Sequence, residues 1–202
     1  MASKIVLICL FFQITTSKTS FFIPIQTVDR KDVSQIQLTT IGKFGLIRKE
    51  RKTVASHLHT GIDIKRPNNN YINEPIFVIA TGKVISKRTD GPYAQLIIEH
   101  QISGNTFWTV YEHIAGITVQ LHETVNPDKP IARYMSKTEL NKYGWQFDHF
   151  HLEILKLKPL PIKADKSNLE RLYNSYTLVC YKTSDLEKYY YNPINFLAKN
   201  LH

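Results

Sequence analysis

Cysteine is nearly absent from this chain: Cys9 and Cys180 are the only two among 202 residues. That excludes a disulfide framework and leaves no cysteine cluster to hold a metal. No apolar run is long enough for a comfortable membrane span. The candidate, Ile5 to Phe12, is extended only by Ile14. There is no clear repeat, no low-complexity segment and no His-Glu-x-x-His helix. In His57-Leu58-His59-Thr60-Gly61-Ile62-Asp63, Gly61 argues against a helix, so His59 and Asp63 are not neighbours on a helix face. They converge only if the chain turns at Thr60-Gly61. Acidic residues are outnumbered 17 to 26 by lysine and arginine, a formal charge of +9. Such an excess favours a polyanionic partner: nucleic acid, anionic lipid or an acidic cell wall. Charge alone does not choose among them.

Hydrophobic residues are present at 43% and aromatics at 11%, enough to build a core. The length suits one domain, two at most. Lys4, the apolar run and the small polar stretch Thr15 to Ser20 have the layout of a secretory signal peptide over residues 1–20, with an uncleaved anchor as the alternative. No Ala-x-Ala site marks a cut. Cleavage takes Lys4 and Lys18 and no acid, so +9 becomes +7, and Cys180 is left as the single thiol.

From Ile76 onward the pattern reads as strand after strand. Phe21 to Gln26 reads as an opening strand, and Arg48 to Lys52 as a solvated basic loop. Gly82 turns the chain into Lys83–Lys87, and Ser103-Gly104-Asn105 joins Tyr93–Ile102 to Thr106–Ile114 as a hairpin. Val119–Val125 and Ile131–Tyr134 read as short strands, and Ser136–Tyr143 as a short helix or ordered loop. After Leu157 the character changes. Asn168–Tyr176 has some helical pattern, Leu178 to Tyr181 suggests a short strand, and Asn192-Pro193 opens a terminal helix with proline in its favoured first position.

The stretch His149-Phe150-His151-Leu152-Glu153-Ile154 alternates. Its histidines and Glu153 share one strand face, and Phe150, Leu152 and Ile154 take the other. Two imidazoles side by side favour metal binding or acid-base chemistry, because two buried cations repel and neutral rings readily ligate. A catalytic zinc needs three protein ligands and an open position. His59, Asp63 and one of the two strand imidazoles would supply them. The other imidazole, with His113, is then free for proton transfer and charge stabilisation. His113 shares a strand face with Tyr111 on simple alternation. Glu153 reads equally as an acceptor behind His151 or as a surface carboxylate, and His57 as a rim residue. His100 reads as structural, and His122 and His202 as exposed. Phe107, Trp108, Tyr111 and Trp145 read as core or groove wall.

His59-x-x-x-Asp63, Tyr111-x-His113 and His149-x-His151 resemble, in order, the motifs of the M23 family of zinc metallopeptidases, of the lysostaphin and LytM type. Phe44-Gly45 with Arg48, Pro75 to Val84, Tyr93 to His100 and Asn192 to Leu197 are similar to further family segments. The resemblance covers residues 41–157 and 191–198. It implies a mainly β single domain of antiparallel sheet over 21–202, with core 41–157, a few short helices, an insertion at 158–190 and a closing segment at 191–202. By motif, His59, Asp63 and His151 are the zinc ligands, and His113 and His149 the catalytic histidines. The implied protein is a secreted or periplasmic, monomeric endopeptidase. It acts on peptidoglycan peptide stems or cross-bridges, with no nucleic-acid partner and no membrane span after cleavage. The alternative is a catalytically silent relative that regulates another cell-wall hydrolase. Phe147-Asp148 replaces the small pair usual before the His-x-His motif, and is expected to alter the orientation or basicity of His149.

Overall fold

The computed structural model describes residues 20–52, 54–164 and 166–201, so nearly all of the leader, Cys9 and His202 lie outside the described residues. The main sheet has seven strands: β1 (Ile62–Lys65), β2 (Gly82–Arg88), β3 (Gln95–Ile102), β4 (Asn105–Glu112), β5 (Thr124–Val125), β6 (His149–Leu155) and β7 (Tyr190–Tyr191). They run antiparallel in the order β7-β6-β4-β3-β2-β5. β1 lies on the same edge of β6 as β7, taking its first half. Ser103 and Gly104, both at positive φ, make the two-residue turn from β3 to β4. The protein is mainly β, with three short α-helices among the described residues: α1 (Lys137–Tyr143), α2 (Thr183–Tyr189) and α3 (Pro193–Asn200).

Alternation on β6 positions everything else. Phe150, Leu152 and Ile154 enter the main core with Ile62, Ile64, Leu96, Ile98 and Tyr111. Residues 21–25 cover this core, but not as a regular strand: a single bridge joins Ile25 to Ile76, while Phe21, Ile23 and Ile25 are buried. The opposite face of the sheet is buried as well. There Ile97, Trp108, Val110 and Leu155 meet Cys180, Leu186 and Tyr190. Covering this second face is what residues 158–190 contribute.

Within that segment local pattern misleads. Asn168–Tyr176 is not helical; Tyr173–Asn174 pairs with Leu160–Pro161. Thr177–Val179 is a 3₁₀ turn and not a strand. Helix α2 carried no strong sequence signal. Elsewhere the caps follow the chemistry of their residues. The Ser136 hydroxyl and the Glu139 carboxylate close a capping box on α1, and the Asn192 side chain accepts from Ile194 N and Asn195 N ahead of Pro193.

His100 is fully buried. Its Nδ1–H donates to the Thr81 carbonyl (3.0 Å), and its Nε2 accepts from the Thr109 hydroxyl (2.8 Å). Burial pushes its pKa from 6.5 down to about 4. The depressed value means the neutral ring contributes stability above pH 6.5 that is lost as pH falls toward 4, on the order of 3 kcal/mol. Thermal melts of wild type and His100→Gln at pH 7 and pH 4.5 check this. The variant should be less stable at the higher pH and lose less on acidification. Parallel losses would contradict it.

Candidate metal centre

The chain turns at Thr60-Gly61 and then joins the edge of β6, with Asp63 opposite His151 in register. Only glycine fits at 61: a Cβ there would meet the Leu152 carbonyl oxygen at 2.2 Å and the His151 ring at 2.8 Å. That close approach brings three atoms together. His59 Nε2 lies 2.9 Å from His151 Nδ1 and 3.0 Å from Asp63 Oδ1, and His151 Nδ1 lies 2.9 Å from the same oxygen. All three residues are buried.

The outer atoms of each ring are already engaged. His59 Nδ1–H donates to the Lys43 carbonyl at 2.9 Å, which turns the Nε2 lone pair inward. His151 Nε2–H donates to Glu153 Oε1 at 3.2 Å, which does the same for Nδ1. Arg48 takes Asp63 Oδ2 at 2.6 Å, leaving Oδ1 to face the two rings. Arg48 is therefore not part of a merely solvated loop. Two lone pairs and a carboxylate oxygen then converge with no donor among them, so a positive charge must sit at their centre. A proton on His151 can provide it: burial opposes the charge, but bonds to Asp63 and Glu153 outweigh that and raise the pKa to about 10. Burial likewise opposes the Asp63 charge, yet bonds from His151 and His59 hold its pKa far below the usual carboxylate range. Zinc fits the same place. Tetrahedral ligands about 2 Å from zinc lie about 3.3 Å apart, close to the separations seen. Among the described residues this trio is the group able to hold a metal.

His113 reaches the site by an unexpected route. Register puts Tyr111 opposite Leu152, on the core face, and Tyr111 is fully buried there. Alternation would send His113 the same way. Instead β4 ends at Glu112, and His113 takes φ 63, in the left-handed region. Such a conformation costs about 1–2 kcal/mol in a non-glycine residue. It turns the ring onto the other face, with its centroid 5.3 Å from His149 and 6.5 Å from His151. His113 Nδ1–H donates to the Pro92 carbonyl at 2.6 Å, so its Nε2 is the free acceptor. Burial lowers the pKa of both His113 and His149, that of His149 to about 4, so both rings are neutral near pH 7. Tyr93 and Phe147 flank the His113 ring, and Trp145, half exposed, stands on Tyr71 nearby.

The other expectations divide. Asp148 does not act on His149; its carboxylate is held by Arg66 (2.8 Å) and the Tyr71 hydroxyl (3.0 Å). Glu153 is a buried acceptor, not a surface carboxylate. His57 bonds its own loop at the Ala55 carbonyl, and His122 is exposed. Cys180 is buried and its thiol is pushed up to about 12 by desolvation and then by Glu153, so it is not a thiolate nucleophile.

The model of peptidase family M23 matches residues 57–165, a span that holds all five of these histidine and aspartate residues. The chain belongs to peptidase family M23. Solved structures similar to it include a zinc-containing peptidase from Vibrio cholerae, at 25% identity and TM-score 0.46 over 67% of this chain and 37% of that one. The antimicrobial peptidase lysostaphin from Staphylococcus simulans is similar at 14% identity and TM-score 0.49, over 84% of this chain and 53% of that one. The catalytic domain of EnpA, a prophage-encoded M23 protein from Enterococcus faecalis, is similar at 21% identity and TM-score 0.43, over 68% and 88%. The chain thus spans about half of lysostaphin or less than half of the Vibrio protein. No curated protein matches it. M23 peptidases are generally extracytoplasmic, and no helix among the described residues is long and apolar enough to cross a membrane.

Proposed function

We propose that this M23 protein is a secreted, zinc-dependent endopeptidase that hydrolyses peptide cross-links of bacterial peptidoglycan. The observation that carries the reading is the convergence of His59 Nε2, Asp63 Oδ1 and His151 Nδ1 beside two further neutral imidazoles. His59, Asp63 and His151 would hold the zinc. When bound it supplies Lewis acidity, bringing the pKa of water toward about 7 and polarising the scissile carbonyl.

The chain's own residues supply the rest. His113 Nε2, left as a lone pair by the bond to Pro92, accepts the proton of the attacking water. His149, whose Nε2 is 3.7 Å from Asp63 Oδ1, lies across from it and supports the oxyanion that develops on the carbonyl. Arg48 and Glu153 keep the ligand atoms aimed inward. Tyr93 and Phe147 form an apolar side to the site that limits water around His113. The domain of this reading is 21–202 with 158–190 inserted, and its net charge of +7 after leader removal suits an anionic wall.

Purified peptidoglycan incubated with the protein, with and without a chelator, tests this. Mass analysis should find peptides with newly exposed termini, in amounts that follow zinc loading. A silent relative would sediment with the wall and release nothing.

A further inference from the structure

Glu153 is 1% exposed and carries its hydrogen bonds unevenly. Oε1 accepts three: from the Thr60 hydroxyl at 2.5 Å, the Thr177 hydroxyl at 2.6 Å and His151 Nε2–H at 3.2 Å. Oε2 is buried and has no partner. The orientation of the carboxylate is therefore set entirely at Oε1. The last torsion of glutamate is soft, so the two hydroxyls bias how Oε1 is presented to His151.

The two hydroxyls, 3.1 Å apart, come from distant parts of the chain. Thr60 follows the ligand residue His59. Thr177 comes from the 158–190 segment, on the turn Thr177–Val179. That turn is itself fixed: Ser175 Oγ is 2.8 Å from Thr177 Oγ1, Tyr176 N–H donates to the Tyr190 hydroxyl at 2.7 Å, and Leu58 N–H donates to the Cys180 carbonyl at 2.8 Å. Tyr190 belongs to β7 and pairs with Leu155 of β6. A continuous chain of bonds thus runs from the segment to the ring that faces the metal position.

We propose that Thr177 is a positioning residue of the metal centre: acting through Glu153, it holds His151 with Nδ1 aimed at the metal. The 158–190 segment is on this account part of the site, built in behind His151, as well as a cover for the sheet. Because metal affinity and docking of the turn share one linkage, each strengthens the other. The inference rests on the metal reading given above.

The test is a zinc titration of the full chain against a fluorescent competing chelator, on wild type, Thr177→Val and Thr177→Ser. Valine keeps the shape and removes the donor, and serine restores the donor. Valine should weaken zinc binding by about 10-fold or more, as loss of a partner behind a ligand does, with serine close to wild type. A merely structural threonine would lower the melting temperature of the zinc-free protein and leave zinc affinity of the folded chain unchanged. Amide exchange of residues 175–181 in the wild type gives a second reading that needs no variant: it should slow when zinc is added. Thr177→Val binding zinc within twofold of wild type, or exchange indifferent to zinc, overturns this inference alone. A wild-type chain that binds no zinc overturns the metal reading and this inference with it.

Discussion

Alanine at His113 or at His149 is expected to leave zinc content at the wild-type level and to lower turnover of peptidoglycan by ~100-fold or more. Neither ring is among the three converging ligand atoms, so the metal position is intact without it. Both rings are half-buried and neutral, and they meet edge-on with centroids 5.3 Å apart, an arrangement in which one can take a proton and the other support a negative charge. His113 adds a second argument. Its left-handed backbone is strained, and the strain turns an imidazole out of the path alternation would give it and into the site. Alanine keeps that backbone and loses the ring's contacts with Tyr93, Phe147 and the Pro92 carbonyl, so the melting temperature of His113→Ala is read beside its turnover. Turnover with metal content measured on the same samples checks the pair. Wild-type turnover in either variant shows the catalytic histidines misplaced, and loss of zinc in either shows a ligand among them.

Alanine at His151 should have the opposite signature. Zinc falls from about one equivalent per chain to a small fraction of that, because only two of the three required ligands remain. Activity falls with it and is not recovered by moderate excess metal. The loss extends beyond the ligand. His151 is one of three donors on Glu153 Oε1, and its removal leaves that buried carboxylate with the two threonine hydroxyls alone. His151→Ala is therefore also expected to melt earlier when zinc-free, by an amount that comparison with Glu153→Gln would separate. Metal analysis of the purified variant decides the assignment: full zinc content in His151→Ala would sink it.

The part of this site that could be read in the sequence is the part governed by short-range rules. Alternation placed His149 and His151 on one face and Phe150, Leu152 and Ile154 in the core, as found. The hairpin at Ser103-Gly104 and the cap at Asn192-Pro193 follow from residues with few conformational choices. What failed depended on partners far along the chain. Glu153 looked as much like a surface residue as a buried one, because alternation shows a polar face but not what covers it; residues 175–190 do. Thr177 gave no signal at all, since a lone threonine gains its meaning only from lying 2.6 Å from Glu153. Asn168–Tyr176 and Leu178–Tyr181 depart from their local pattern because segments this short are shaped by docking on the sheet, not by propensity. Alternation puts His113 on the face of Tyr111, and one positive φ overturns it. Arg48 stands in a run of charged neighbours, while its carboxylate partner, Asp63, lies 15 residues away.

The most direct test of the account is a crystal of the protein grown with zinc, with anomalous difference density recorded at the zinc edge. A single peak is expected within about 2.0–2.2 Å of His59 Nε2, Asp63 Oδ1 and His151 Nδ1, with His113 and His149 beyond bonding distance of it. A peak ligated by His113 or His149 in place of any of the three, or no peak among these residues, would contradict it.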